Sequence, residues 1–124
     1  MVDELKGRAA IITGGNRGLG LAIGKAFVAA GADVFLCARD SAPLEAARVE
    51  LQARASAGQC VLACSADVSK PDEARAVVAQ AIAAFSRVSV LVNNAGVYGP
   101  KGPIEAVASA GVGEEWMHAV QINL

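Results

Sequence analysis

The sequence predicts an α/β fold: a doubly wound parallel sheet with helices on both faces. Three features carry that expectation. Short apolar runs alternate with stretches of helical periodicity in the order β-α-β-α-β-α-β. The runs are apolar nearly throughout, as strands are when helices cover both their faces. A glycine cluster, Gly14-Gly15-Asn16-Arg17-Gly18-Leu19-Gly20, joins the first run to the first helical stretch.

The elements follow in order. Arg8–Thr13 reads as the first strand and ends at the glycine cluster. Leu19–Ala30 reads as a helix with Leu19, Ile23, Ala26, Phe27 and Ala30 on one face, and Gly31 stops it. Asp33–Ala38 is the second strand. Asp40 or Ser41 is expected to cap the second helix, with Pro43 in its first turn. In that helix Leu44, Ala47, Leu51 and Ala55 recur at helical spacing, and Gly58 is expected to end it. Cys60–Ala66 is the third strand. Ser69 is expected as the next N-cap, followed by Pro71 and the acids Asp72 and Glu73 in the first turn. The helix to about Phe85 is expected to turn Ala74, Val77, Val78, Ala81 and Ile82 inward. Val88–Val92 is the fourth strand. Beyond Gly96, Gly99-Pro100-Lys101-Gly102-Pro103 reads as a loop, 106–113 has no clear pattern, and a helix is expected from near Glu114 to Leu124.

Composition bounds the function. The 124 residues are enough for about one domain, and 54% apolar against 19% charged residues supply a packed core. We see no linker and no repeat beyond the βα alternation. A net charge of -1 offers no basic excess for nucleic acid or an anionic membrane. No apolar run approaches membrane-spanning length. The start, Met1-Val2-Asp3-Glu4-Leu5-Lys6, has no apolar signal core, so a cytoplasmic protein is expected. The three cysteines, Cys37, Cys60 and Cys64, are an odd number on apolar segments and read as buried, reduced thiols. No cluster with metal-ligand spacing occurs.

The glycine cluster sits where anion chemistry needs it, after a strand and at the start of a helix. A helix N-terminus presents unpaired N–H groups and a partial positive charge. Gly14 permits the sharp turn off the strand. Gly18 lets a pyrophosphate approach the backbone. Gly20 lets the helix pack close. The spacing from Thr13 is T-G-x-x-x-G-x-G.

That spacing resembles the short-chain dehydrogenase/reductase family, and three further segments match it in order. Asp67-Val68 resembles the family's adenine-contacting segment, although Asp67 also has a reading as a helix cap ahead of Ser69. Asn93-Asn94-Ala95-Gly96 resembles its N-N-A-G motif, with Asn93, Ala95 and Gly96 along the path of the cofactor's ribose. Asn94 is expected to bond backbone across neighbouring strand ends. Asn123, in the stretch from Trp116 to Ile122-Asn123-Leu124, resembles the family's helix Asn that supports a proton relay. The resemblance covers essentially the whole chain. It implies a Rossmann-type sheet, here incomplete at about four strands, in the order 3-2-1-4.

The resemblance also directs attention to the cofactor's 2′ position. An acid at the end of strand two takes a ribose 2′-hydroxyl, whereas an Arg accommodates a 2′-phosphate. Strand two ends Leu36-Cys37-Ala38-Arg39, with no acid at Ala38. Arg39, and Arg17 inside the turn, point to NADP(H), with NAD(H) as the alternative. Asp40, one place later, is expected to cap the helix. Asn16 and Leu19 complete the expected cofactor contacts.

The family's chemistry adds a Ser and a Tyr-x-x-x-Lys pair, of which only the accompanying Asn has a counterpart, Asn123. Tyr98 and Lys101 are three apart across Gly99-Pro100, which cannot form a regular helix, and read as loop residues. His118, the one histidine, reads as a surface or subunit-contact residue. The expectation is the N-terminal, cofactor-binding portion of a longer NADP(H)-dependent carbonyl reductase or alcohol dehydrogenase. Its substrate would be a small carbonyl or alcohol such as a 3-oxoacyl thioester, and its full-length form a homo-oligomer. The alternative is a dinucleotide-binding or regulatory module without turnover. The 124 residues alone are expected to be inactive, with no nucleic-acid or membrane partner.

Overall fold

The strand nearest the N-terminus is the centre of the sheet. In the computed structural model, which describes residues 4–96, strand β1 (Ala9–Thr13) is buried along its whole length. It pairs in parallel with β2 (Asp33–Ala38) on one side and β4 (Val90–Val92) on the other. Strand β3 (Val61–Ser65) adds beyond β2, so the order is β3-β2-β1-β4. Three helices connect them: α1 (Gly18–Ala29), α2 (Ser41–Arg54) and α3 (Pro71–Phe85). The doubly wound sheet and its strand order are those expected.

Alternation along the strands separates two cores. Ile12, Val34, Leu36 and Val61 pack with Val28 of α1 and Leu44, Ala47 and Leu51 of α2. Ile11, Phe35 and Cys37 face the other way, against Val77 and Ala81 of α3. The Phe35 and Phe85 rings meet edge to face at 6.3 Å between centroids. The sheet is therefore sandwiched between α1 with α2 and α3.

Helix α1 corrects the expected face. Its buried stripe is Gly20, Gly24 and Val28, four apart, while Leu19 is 70% exposed and Ala26 is exposed. The glycines allow the approach. A Cβ on Gly24 would stand 2.9 Å from Leu51 Cδ1, and one on Gly20 would stand 2.1 Å from the Gly14 carbonyl oxygen. Ile23 and Phe27 flank the stripe, half-buried. Gly31, at φ +96°, closes the helix as expected, with its N–H on Val28 O and that of Ala32 on Phe27 O.

Other local expectations also shift. Strands β1 and β4 start later than expected, at Ala9 and Val90, and β3 spans Val61–Ser65. Helix α2 ends at Arg54, where Ala55 turns extended, and Gly58 at φ +91° belongs to the turn beyond. Asp40 holds the N-cap position of α2 but its side chain makes no capping bond. Lys70, not Ser69, precedes α3, because Ser69 bonds to Asp67 instead. On α3, Val77 and Ala81 are buried, but Val78 and Ile82 are 42% and 46% exposed. One helix stripe cannot bury residues on both sides of the contact line, and the sheet takes the Val77–Ala81 side. Cys37 is buried while Cys60 and Cys64 are half-buried, all as unpaired thiols. Burial pushes the Cys37 thiol up to about 12, helped by the neighbouring Cys64. No helix among the described residues is long and apolar enough to cross a membrane.

Candidate functional site

All strands run parallel, so their C-terminal ends gather on one edge of the sheet. The chain runs outward from β1 through β2 to β3 and returns to β4 on the other side of β1, a reversal of strand order at which such sheets open a crevice. A cleft of about 780 Å³ occupies that place, lined by the turn after β1, the end of β2, Ala66 and Val68 after β3, and Asn93–Gly96 after β4.

The turn is held from three sides. The Gly14 N–H donates to Cys37 O at 2.8 Å, which fastens it to β2. Gly14 sits at φ +65°, and a Cβ there would stand 3.0 Å from the Ala95 Cα. Below it, Gly20 packs α1 against the Gly14 carbonyl. On the β4 side, the Thr13 hydroxyl oxygen accepts the N–H groups of Asn94 (3.0 Å) and Ala95 (2.9 Å), and its O–H donates to Val92 O at 3.4 Å. Asn94 Nδ2 returns a bond to Gly14 O at 3.2 Å. Asn94 thus takes the cross-strand role expected of it. The Thr13 bonds were not anticipated, and only the motif's opening threonine hinted at them.

The turn delivers the N-terminus of α1 into the cleft. Arg17 is its N-cap residue in extended backbone, with no side-chain cap and no acid in the first turn. The first-turn N–H groups and the positive end of the helix are left for an anion. Gly18, at φ +55°, has nothing within 4 Å of where a Cβ would stand. The cleft therefore reaches bare backbone there. Asn16, Leu19 and Arg17 line the same wall.

Arg39 lines the cleft past the end of β2, with Ala38 before it and Asp40 after it. Its carbonyl accepts the Ser65 hydroxyl at 2.7 Å, and Ala38 O accepts the Ala66 N–H at 2.9 Å, so β3 steadies this corner. Asp40, expected to be engaged in capping, instead faces the cleft with the arginines.

Asp67 and Gly20 support the cleft without lining it. One Asp67 carboxylate oxygen, Oδ1, accepts both the N–H (3.0 Å) and the O–H (2.6 Å) of Ser69. Those bonds, with smaller contributions from the Lys70 and Arg39 charges, hold its carboxyl below the usual range. Val68 lines the cleft, and its backbone N–H has no partner among the described residues. Asn93, Ala95 and Gly96 line the cleft on the β4 side. Tyr98, Lys101, His118 and Asn123, and the expected final helix, fall outside the described residues. Among the described residues no group of three or more His, Cys, Asp or Glu side chains is placed to hold a metal ion.

Comparison with known proteins gives one consistent answer. The family model described as short chain dehydrogenase matches residues 8–124. An uncharacterised oxidoreductase of Mycobacterium tuberculosis is 40% identical over 93 residues, covering 75% of this chain and 34% of that protein. A metagenomic short-chain oxidoreductase solved with NADP superposes with a TM-score of 0.83 at 37% identity, covering 97% of this chain and 51% of that one. The 3-ketoacyl-(acyl-carrier-protein) reductase of Brucella melitensis, solved with NADH, gives 0.84 at 35% identity, covering 98% and 46%. The chain thus spans between a third and about half of the length of these relatives.

Proposed function

The chain belongs to the short-chain dehydrogenase family, and on that premise we propose that it is the cofactor-binding portion of an NADP(H)-dependent oxidoreductase. The reaction would interconvert a carbonyl and an alcohol on a small molecule. The observation that carries the cofactor choice is the mouth of the cleft. Arg17 and Arg39 both line it, and β2 ends on Ala38 rather than on an acid. A guanidinium pair suits a ribose 2′-phosphate, which an acid at Ala38 would repel.

The residues fit a dinucleotide along the rest of the cleft. The pyrophosphate belongs at the bare backbone of Gly18 and the N-terminus of α1, with Gly14, Asn16, Leu19 and Gly20 shaping that wall. The adenine belongs against Val68, with Asp67 beside it, and the inner ribose along Asn93, Ala95 and Gly96. When bound, the dinucleotide supplies or accepts a hydride. The protein's residues bind and orient it, and Asn123 is assigned to the proton relay. The 124 residues contain no Tyr-x-x-x-Lys pattern, so the proposal gives them cofactor binding and, through Asn123, one member of the relay, but no turnover alone. A 3-oxoacyl thioester is the first substrate to try with the whole enzyme, since a 3-ketoacyl reductase is among the similar structures.

One observation favours a second reading. Asp40 also lines the cleft and is engaged in no cap, so its carboxylate is placed to accept from a ribose 2′-hydroxyl of NAD(H). Fluorescence titration with NADPH and NADH separates the two. NADPH is expected to bind at least tenfold more tightly, with Arg39→Ala erasing most of the difference, the scale of one charge-assisted contact. Tighter NADH binding, unmoved by Arg39→Ala but weakened by Asp40→Ala, would replace the proposal with the second reading.

A further inference from the structure

The turn between β3 and α3 forms the far wall of the cleft, and a carboxylate one turn into α3 holds it. Glu73 Oε1 accepts the backbone N–H of Asp67 at 3.0 Å. Its other oxygen stands 3.6 Å from Lys70 Nζ. An acid at this third position of a helix ordinarily reaches back to the N-cap N–H. Here the N-cap residue is Lys70, whose N–H is already taken by Asp67 O at 3.1 Å. Glu73 passes over it and binds three residues further back. Asp67 is thereby held at its N–H by Glu73, at its carboxylate by Ser69 and at its carbonyl by Lys70. Between these anchors stands Val68, which lines the cleft and whose N–H has no partner among the described residues.

We propose that Glu73 is a positioning residue for the adenosine end of the dinucleotide: by fixing the Asp67 N–H it sets where the Val68 backbone and side chain present themselves to the ligand. Glu73 itself does not line the cleft. The proposal rests on the reading of the cleft as a dinucleotide site. Its sign is distinctive. Removing a carboxylate on electrostatic grounds alone would strengthen the binding of a phosphate-bearing ligand. Loss of the clamp weakens it.

The test is calorimetric titration of the full chain with 2′,5′-ADP, which carries the adenosine end alone, and with inorganic pyrophosphate, which reports the glycine turn. Glu73→Ala is expected to weaken 2′,5′-ADP about fivefold or more, the scale of one lost hydrogen bond, and to leave pyrophosphate unchanged. Glu73→Gln keeps an acceptor oxygen and is expected to restore wild-type affinity. Asp72→Ala removes the same charge one residue away, from a side chain that pairs with Arg75 at 2.8 Å, and is expected to change nothing. If circular dichroism shows Glu73→Ala unfolded, Glu73→Asp, too short to reach Asp67, is read in its place. Unchanged 2′,5′-ADP affinity in a folded variant, or equal weakening by Asp72→Ala, overturns the role of Glu73 alone. A wild-type chain that binds neither 2′,5′-ADP nor a dinucleotide overturns the cofactor reading and this inference with it.

Discussion

The hydroxyl oxygen of Thr13, at the end of β1, accepts the backbone N–H of Asn94, just past β4, at 3.0 Å. It also accepts that of Ala95 and donates to Val92. One buried side chain thus ties the two strand ends between which the cleft opens. The residue is 8% exposed, so water is no easy substitute for its hydroxyl.

Thr13→Val keeps the shape and removes the bonds. It leaves two N–H groups without their acceptor, and the expected loss of stability is about 1–3 kcal/mol. Thr13→Ser should retain most of it. Urea unfolding followed by circular dichroism checks both. A Val variant as stable as the Ser variant would show that the staple contributes nothing.

Gly18 and Gly20 should fail differently. A Cβ on Gly20 meets the Gly14 carbonyl at 2.1 Å, a backbone contact that cannot move cheaply. Gly20→Ala should therefore destabilise the fold by about 2 kcal/mol or more and abolish dinucleotide binding together. Gly18 has open space but a left-handed backbone, φ +55°. Gly18→Ala should cost about 1–2 kcal/mol in stability from the strain, while its methyl intrudes on the ligand's path and weakens binding disproportionately. Thermal melts paired with NADPH titrations separate the two, and identical behaviour would contradict the assigned roles.

The Asp67–Ser69 bonds give stability a pH signature. The folded-state carboxyl is depressed, so its contribution is fully present above the ordinary carboxyl range and is lost as pH falls through the folded value. Acid unfolding of the wild type should therefore include a component below about pH 4 that Ser69→Ala diminishes. An unchanged acid limb in Ser69→Ala would show that the bonds do not hold in solution.

Cys37 has the opposite sign. Its thiol rises from 9.0 to about 12 because it is buried. Its contribution to stability is therefore complete below the unfolded thiol's value and is lost as pH climbs through the folded one, between about pH 9 and 12. In the native protein at pH 8 it should resist alkylation by iodoacetamide, and react once urea unfolds the chain. Mass mapping reads this directly. Native labelling of Cys37 as fast as that of Cys60 would contradict its burial.

How much of this was legible in the sequence varies from residue to residue. The sheet and the cleft's main walls were legible, because glycines at a strand–helix junction and an N-N-A-G stretch after a strand are local signals, and the strand order followed from the family those motifs resemble. The buried stripe of α1 was not, because periodicity counts side chains, and Gly20 and Gly24 pack through having none. Val78 and Ile82 look like core residues, but the sheet reaches only the Val77–Ala81 side of α3. Ser69 has the chemistry of an N-cap, yet Asp67 competes for it two residues away. The acceptor role of Thr13 toward Asn94, 81 residues distant, exists only once β1 and β4 are neighbours.

The most direct measurement of the central claim is an amide correlation spectrum of the isotopically labelled chain titrated with NADPH. The account predicts saturable shifts at Gly18, Leu19, Arg39, Val68 and Ala95, which ring the cleft, with the outward face of α2 around Val49 undisturbed. Shifts confined to residues away from the cleft, or none at millimolar NADPH, would contradict it.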